Sequence, residues 1–144
     1  MKRKEFLSFS EEDTANIAKK FCNNLKVGDA VLFHGEMGAG KTTFTKTIAE
    51  YYNCDDIAVS PTFSLVNEYF GDVKIFHFDL YRISDEEDLY SIGFYDYIRE
   101  EAIFVIEWSE NIPSLSDEFS RVFTISITKI DEASRKIIIE GMEE

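Results

Sequence analysis

The stretch "AVLFHGEMGAGKTTFTKTIAEYY", residues 30–52, decides the fold. It opens on a short apolar run, Ala30 to Phe33, of the length and character of a buried strand. It closes on "KTTFTKTIAEYY", where Phe44, Ile48 and Tyr51 recur at helical spacing. The threonines of that segment are poor helix formers, so the helix must draw its stability from its surroundings. Between strand and helix, Gly35, Gly40, Lys41 and Thr42 occupy the fixed positions of G-x-x-x-x-G-K-[ST]. Glycine is needed there because backbone N–H groups must point at a phosphate, and side chains would block the approach. The helix that follows presents its positive end to the same anion. The candidate nucleotide-binding residues are therefore Gly35, Met37, Gly38, Ala39, Gly40, Lys41, Thr42 and Thr43. Lys41 is expected to reach the β- and γ-phosphates, and the Thr42 hydroxyl to ligate Mg²⁺.

A phosphate loop of this kind needs a carboxylate at the end of a neighbouring strand, holding the metal or its water. Two apolar runs supply one. "KIFHFD" ends at Asp79 and "AIFVIE" at Glu107. Both should lie at the rim of the sheet where ligands bind. In "SPTF", Thr62 could sense a γ-phosphate or form part of a rigid turn. In "DLYR", Arg82 could steady phosphate charge, although a salt bridge to Asp85, Glu86 or Glu87 is the plainer expectation. Trp108 follows Glu107 directly and reads by default as core or as a contact anchor, with a place beside the nucleotide as the alternative. His34 and His77 lie within strand patterns and read as structural histidines.

The remaining elements follow from local pattern. "EFLSF" is a short first strand. Ser10 is a helix N-cap with Asp13 three residues on, and Ile17, Ala18, Phe21, Cys22 and Leu25 follow at helical spacing. "FSLVNEYFGDVKIFHFDLYR" reads as two strands turning at Gly71-Asp72. "SDEEDLYSIGFYDYIRE" is helical and interrupted near Gly93. "RVFTISIT" and "RKIIIEGM" form a final antiparallel pair, the first with Phe123, Ile125 and Ile127 on one face. The expected architecture is α/β, a P-loop NTPase-like single domain over residues 1–144, its mixed parallel and antiparallel sheet flanked by helices.

"TKID", residues 128–131, matches the guanine-reading pattern of GTPases, but Asp79 is followed by Leu80-Tyr81-Arg82 where D-x-x-G would require a glycine. The segment is better read as a hairpin turn. A small-molecule kinase would carry several arginines in a lid, whereas the five here are scattered. The net charge of −13, with eleven acids against one arginine from Asp85 to Glu118, argues against extensive direct binding of a nucleic-acid backbone. The two cysteines, Cys22 and Cys54, form no metal-binding pattern and read as reduced thiols. With no signal-like or membrane-spanning run, the expected location is the cytoplasm.

Taken together, "GEMGAGKTTF", "SPTFSLVNEY", "HFDLYR", "SIGFYDY" and "IEW" resemble, in order and spacing, the bacterial TsaE (YjeE) family. The resemblance runs to about Ser109. It implies a small Mg²⁺-dependent ATPase of tRNA threonylcarbamoyladenosine biosynthesis, slow alone, that acts on a TsaD–TsaB protein complex and meets tRNA only through those partners. It also implies that Lys41 and Thr42 serve phosphate and Mg²⁺, that Glu107 is the metal-linked carboxylate, and that Asp79 is a second essential acid. Thr62 and Arg82 fall in switch-like stretches, and Glu11, at the start of the first helix, becomes a candidate contact to the nucleotide.

Overall fold

The computed structural model describes residues 2–35, 40–55 and 65–142. Among these residues seven strands form one sheet: β1 (Lys2–Ser8), β2 (Ala30–Gly35), β3 (Val66–Phe70), β4 (Lys74–Asp79), β5 (Ile103–Glu107), β6 (Val122–Lys129) and β7 (Arg135–Met142). Their spatial order is β1-β7-β6-β2-β5-β4-β3. The strand leading into the phosphate loop is central and pairs in parallel with β5 and β6, and β4 pairs in parallel with β5. The outer pairs β1–β7, β6–β7 and β3–β4 are antiparallel. The mixed sheet is the expected one. Central position explains why β5 is buried along its whole length and reads as an unbroken apolar run.

Among the described residues four helices cover the two faces: α1 (Glu11–Cys22), α2 (Lys41–Tyr51), α3 (Glu86–Ser91) and α4 (Phe94–Tyr97). On one face, Phe21 and Cys22 of α1 and Phe44 and Ile48 of α2 pack against Val31, Phe33, Val105 and Ile125. On the other, Leu89 and Phe94 of α3 and α4 pack against Leu32, Phe76, Phe78 and Phe104, with Ile112 and Leu115 from two 3₁₀ turns (Ser109–Asn111 and Pro113–Glu118).

The local signals act as expected at the start of α1 and between α3 and α4. Ser10 caps α1 by accepting the Asp13 N–H at 3.0 Å, and Asp13 reaches back to the Phe9 N–H at 2.9 Å. Gly93 takes φ +78° between α3 and α4, which is where the helical pattern breaks. The buried face of α2 is corrected in one respect. Phe44 and Ile48 are buried, but Tyr51 is 40% exposed and donates its hydroxyl to Asn23 Oδ1. Ala49 takes the inward position instead, being next to Ile48 on the side that meets the sheet.

Candidate functional site

Gly35 ends β2 and Lys41 opens α2, at the two ends of the candidate phosphate-binding motif. Gly35 has φ +142°, and a Cβ there would lie 2.4 Å from the Ile127 carbonyl oxygen on β6, so only glycine fits. Gly40 has φ +118° and caps α2 with no side-chain hydrogen bond. A glycine there has no side chain to cap the helix, and the N-terminal end of a helix suits an anion. Thr42 is exposed at the helix start, and Thr43 follows half-buried. Met37, Gly38, Ala39 and Thr62 lie outside the described residues.

Lys41 is only 8% exposed. Its Nζ donates to the Gly35 carbonyl at 3.1 Å and stands 3.6 Å from Glu107 Oε1. Glu107 is the last residue of β5, 6% exposed, and pairs in register with Asp79, the last residue of β4. Because both strands run parallel to β2, the two carboxylates emerge at the same edge as the phosphate loop, as the strand-end argument requires. Asp79 is half-buried, and its Oδ1 accepts the Tyr81 N–H at 3.1 Å.

His77 lies two residues before Asp79 on the same face of β4 and is 1% exposed. Its Nε2 is 2.6 Å from Glu107 Oε2, and its Nδ1 is 3.3 Å from the Tyr69 hydroxyl. The histidine is hydrogen-bonded as a structural residue would be, but its partner is the candidate metal-linked carboxylate. Burial pushes the Glu107 carboxyl up. The hydrogen bond from His77 and the charges of His77 and Lys41 outweigh it and hold the group below its usual range. Among the described residues no three Asp, Glu, His or Cys side chains converge as a metal cage. One hydroxyl and one carboxylate suit an ion such as Mg²⁺, which usually keeps several waters and shares substrate phosphates.

The family model for "Threonylcarbamoyl adenosine biosynthesis protein TsaE" matches residues 8–137. The chain belongs to the TsaE family. It is 41% identical over 108 residues to the tRNA threonylcarbamoyladenosine biosynthesis protein TsaE of Rickettsia conorii, covering 74% of this chain and 61% of that protein. It is 32% identical over 133 residues to the Treponema pallidum protein of the same name, covering 92% of this chain and 97% of that one. The chain therefore spans less than two thirds of the Rickettsia relative and nearly all of the Treponema one. Among solved structures, Bacillus subtilis YdiB superposes with a TM-score of 0.78 at 26% identity, covering 99% of this chain and 87% of that chain.

The other residues of this TsaE-family chain fall variously around the site. Trp108 is half-buried with φ +65°, a left-handed conformation that bulky residues rarely adopt. Its ring packs edge-on to Tyr81 at 5.0 Å and lies 5.5 Å from Lys41 Nζ. The ring thus stands beside Lys41, next to the candidate site. Glu11 is exposed in the first turn of α1. That turn approaches the loop: a Cβ on Gly40 would lie 4.0 Å from Thr14 Cγ2. His34 Nε2 is 3.2 Å from Ser109 Oγ, a structural contact as expected. Arg82 is exposed and makes no salt bridge among the described residues, so the expected pairing with Asp85, Glu86 or Glu87 is not formed. Asp85 and Asp88 instead bond to α3 N-terminal backbone groups. In the rejected guanine-reading segment, Asp131 Oδ1 accepts the N–H groups of Ala133 and Ser134 and shapes the β6–β7 turn.

Proposed function

We propose that this chain binds ATP on the Gly35–Thr43 loop and hydrolyses it in support of tRNA threonylcarbamoyladenosine formation, acting on a TsaD–TsaB-type protein complex. The observation that carries the reading is the convergence of Lys41, Glu107 and Asp79 at one sheet edge beside the glycine-led start of α2. Lys41 Nζ has three donors to offer. Two directions are now taken by Gly35 and Glu107, and its place at the head of α2 suits it to the β- and γ-phosphates. Thr42 and Glu107 are the residues that would hold Mg²⁺, whose charge, when bound, neutralises phosphate oxygens and favours attack at phosphorus. Asp79 has one oxygen engaged by the Tyr81 N–H, which fixes the carboxylate to orient a water with the other. Glu11 and Thr62 would contact the nucleotide from α1 and from the "SPTF" segment. The charge of −13 supports a division of labour in which partners hold the tRNA. Cytoplasmic location accords with that pathway.

The deciding experiment measures ATP turnover by the purified chain, alone and with TsaD and TsaB from the same source. Slow turnover alone and clear stimulation by the pair are expected. Vigorous turnover with no response to the pair would leave the family standing and remove the partner-dependent role. Asp79→Asn and Glu107→Gln are each expected to lower turnover about 100-fold or more, with circular dichroism unchanged. Wild-type turnover in either variant would remove that residue from the chemistry.

A further inference from the structure

Three buried polar side chains from three adjacent strands lie in a line across the α2 face of the sheet. Tyr69 on β3 is 3% exposed and meets His77 on β4, which meets Glu107 on β5. Lys41 of α2 closes the line on the far side of Glu107. Phe33, Phe44, Ile75 and Val105 belong to the apolar cluster on this face. Buried polar groups cost stability unless satisfied, and apolar residues would fill the same space at less cost. The line therefore calls for a reason beyond packing.

The geometry supplies one. A carboxylate only accepts, so His77 Nε2 must carry the proton in the 2.6 Å contact to Oε2. Nδ1 is left to pair with the Tyr69 hydroxyl, which fixes the ring from behind. Oε2 is thereby tied to the sheet while Oε1 faces Lys41. We infer that His77, backed by Tyr69, is a positioning residue that holds the Glu107 carboxylate in one orientation at the mouth of the phosphate loop. The inference rests on the reading of Glu107 as the residue that would hold Mg²⁺. Hydrogen-bond partners behind metal ligands commonly matter in this way, and their loss costs roughly 10- to 100-fold in metal affinity or activity.

The test uses His77→Gln and His77→Asn in the full chain. Glutamine carries its amide N–H out to about the position of Nε2, and asparagine only to about that of Nδ1. The two variants are alike in polarity and differ in which neighbour they can reach. The measurements are kcat and KM for ATP with the partner complex, calorimetric affinity for ATP with and without Mg²⁺, and thermal midpoint. His77→Asn is expected to lower kcat roughly 10- to 100-fold with KM little changed, and to weaken the Mg²⁺ enhancement of ATP binding by a similar factor. His77→Gln is expected to restore most of both. The inference is overturned if His77→Asn keeps wild-type kcat and Mg²⁺ response, or if both variants lose function alike in step with the thermal midpoint. If His77→Asn does not fold, His77→Gln decides: near-normal kcat and Mg²⁺ response support the inference, and their loss overturns it. A wild-type chain that neither binds nor turns over Mg²⁺·ATP overturns the functional reading itself, and the inference falls with it.

Discussion

Glu107 is a carboxylate buried at the end of a central strand, and it stays ionised because two groups flank it. The proton linkage follows from that balance. Its folded pKa lies below the usual range, so the stability it contributes is complete above the unfolded value of about 4.3. That contribution is lost as pH falls through the folded value. Urea unfolding of wild type and Glu107→Gln between pH 7 and pH 3 should therefore give a difference that shrinks as pH drops below that range. A constant difference would mean that the carboxyl is not held ionised by His77 and Lys41. At this scale motif and strand-end position singled out Lys41, Asp79 and Glu107 as the candidates for chemistry. They did not show that His77 meets Glu107. The "HFD" pattern put His77 and Asp79 on one face of β4, and that shared face was the signal available. The left-handed Trp108 had no comparable signal.

Among the elements, the β3–β4 hairpin shows how a local signal takes on a tertiary duty. Gly71-Asp72 was readable as a turn from composition alone. In the fold this turn docks on the end of α2: the Asp72 N–H donates to the Tyr52 carbonyl at 2.7 Å, and the Asp55 N–H donates to the Phe70 carbonyl at 3.1 Å. A Cβ on Gly71 would lie 2.4 Å from Tyr52 O and 2.6 Å from Cys54 N, both backbone atoms that cannot swing aside. Gly71→Ala is expected to cost about 2 kcal/mol or more in urea unfolding, as overpacking against rigid neighbours does. A change below about 0.5 kcal/mol, the usual range for surface sites, would mean that the turn is not held against the helix. The same docking anchors the far end of the helix whose first residue is Lys41.

For the molecule as a whole, one sheet with two covered faces places α1 and α2 over the core that contains Cys22. Burial there pushes the Cys22 thiol up from 9.0 to about 12. A thiol buried in its neutral form contributes stability that is complete below the unfolded value and is lost as pH rises toward the folded one. Between those limits wild type should lose stability relative to Cys22→Ala by about 1.4 kcal/mol per pH unit, read from urea unfolding on either side of pH 9. Parallel curves for the two proteins would mean that the thiol ionises in the folded state as it does in water. A thiol reagent at pH 8 should label half-buried Cys54 well before Cys22.

The sequence by itself determined the strand β2 and the helix α2 that flank the glycine-rich motif, the caps of α1, the break at Gly93, the apolar faces of β5 and β6, and the two carboxylates at strand ends. Each of these is written in neighbouring residues as a period, a cap or a turn, and local backbone geometry reads such patterns directly. The tertiary structure alone decided the order of the strands, the line from Tyr69 through His77 and Glu107 to Lys41, the seat of Trp108 against that lysine, the outward turn of Tyr51 and the unpaired guanidinium of Arg82 among the described residues. Those depend on which strand lies beside which. Residues 30 to 66 positions apart become neighbours only when β3, β4 and β5 align beside α2, and no local period records that alignment.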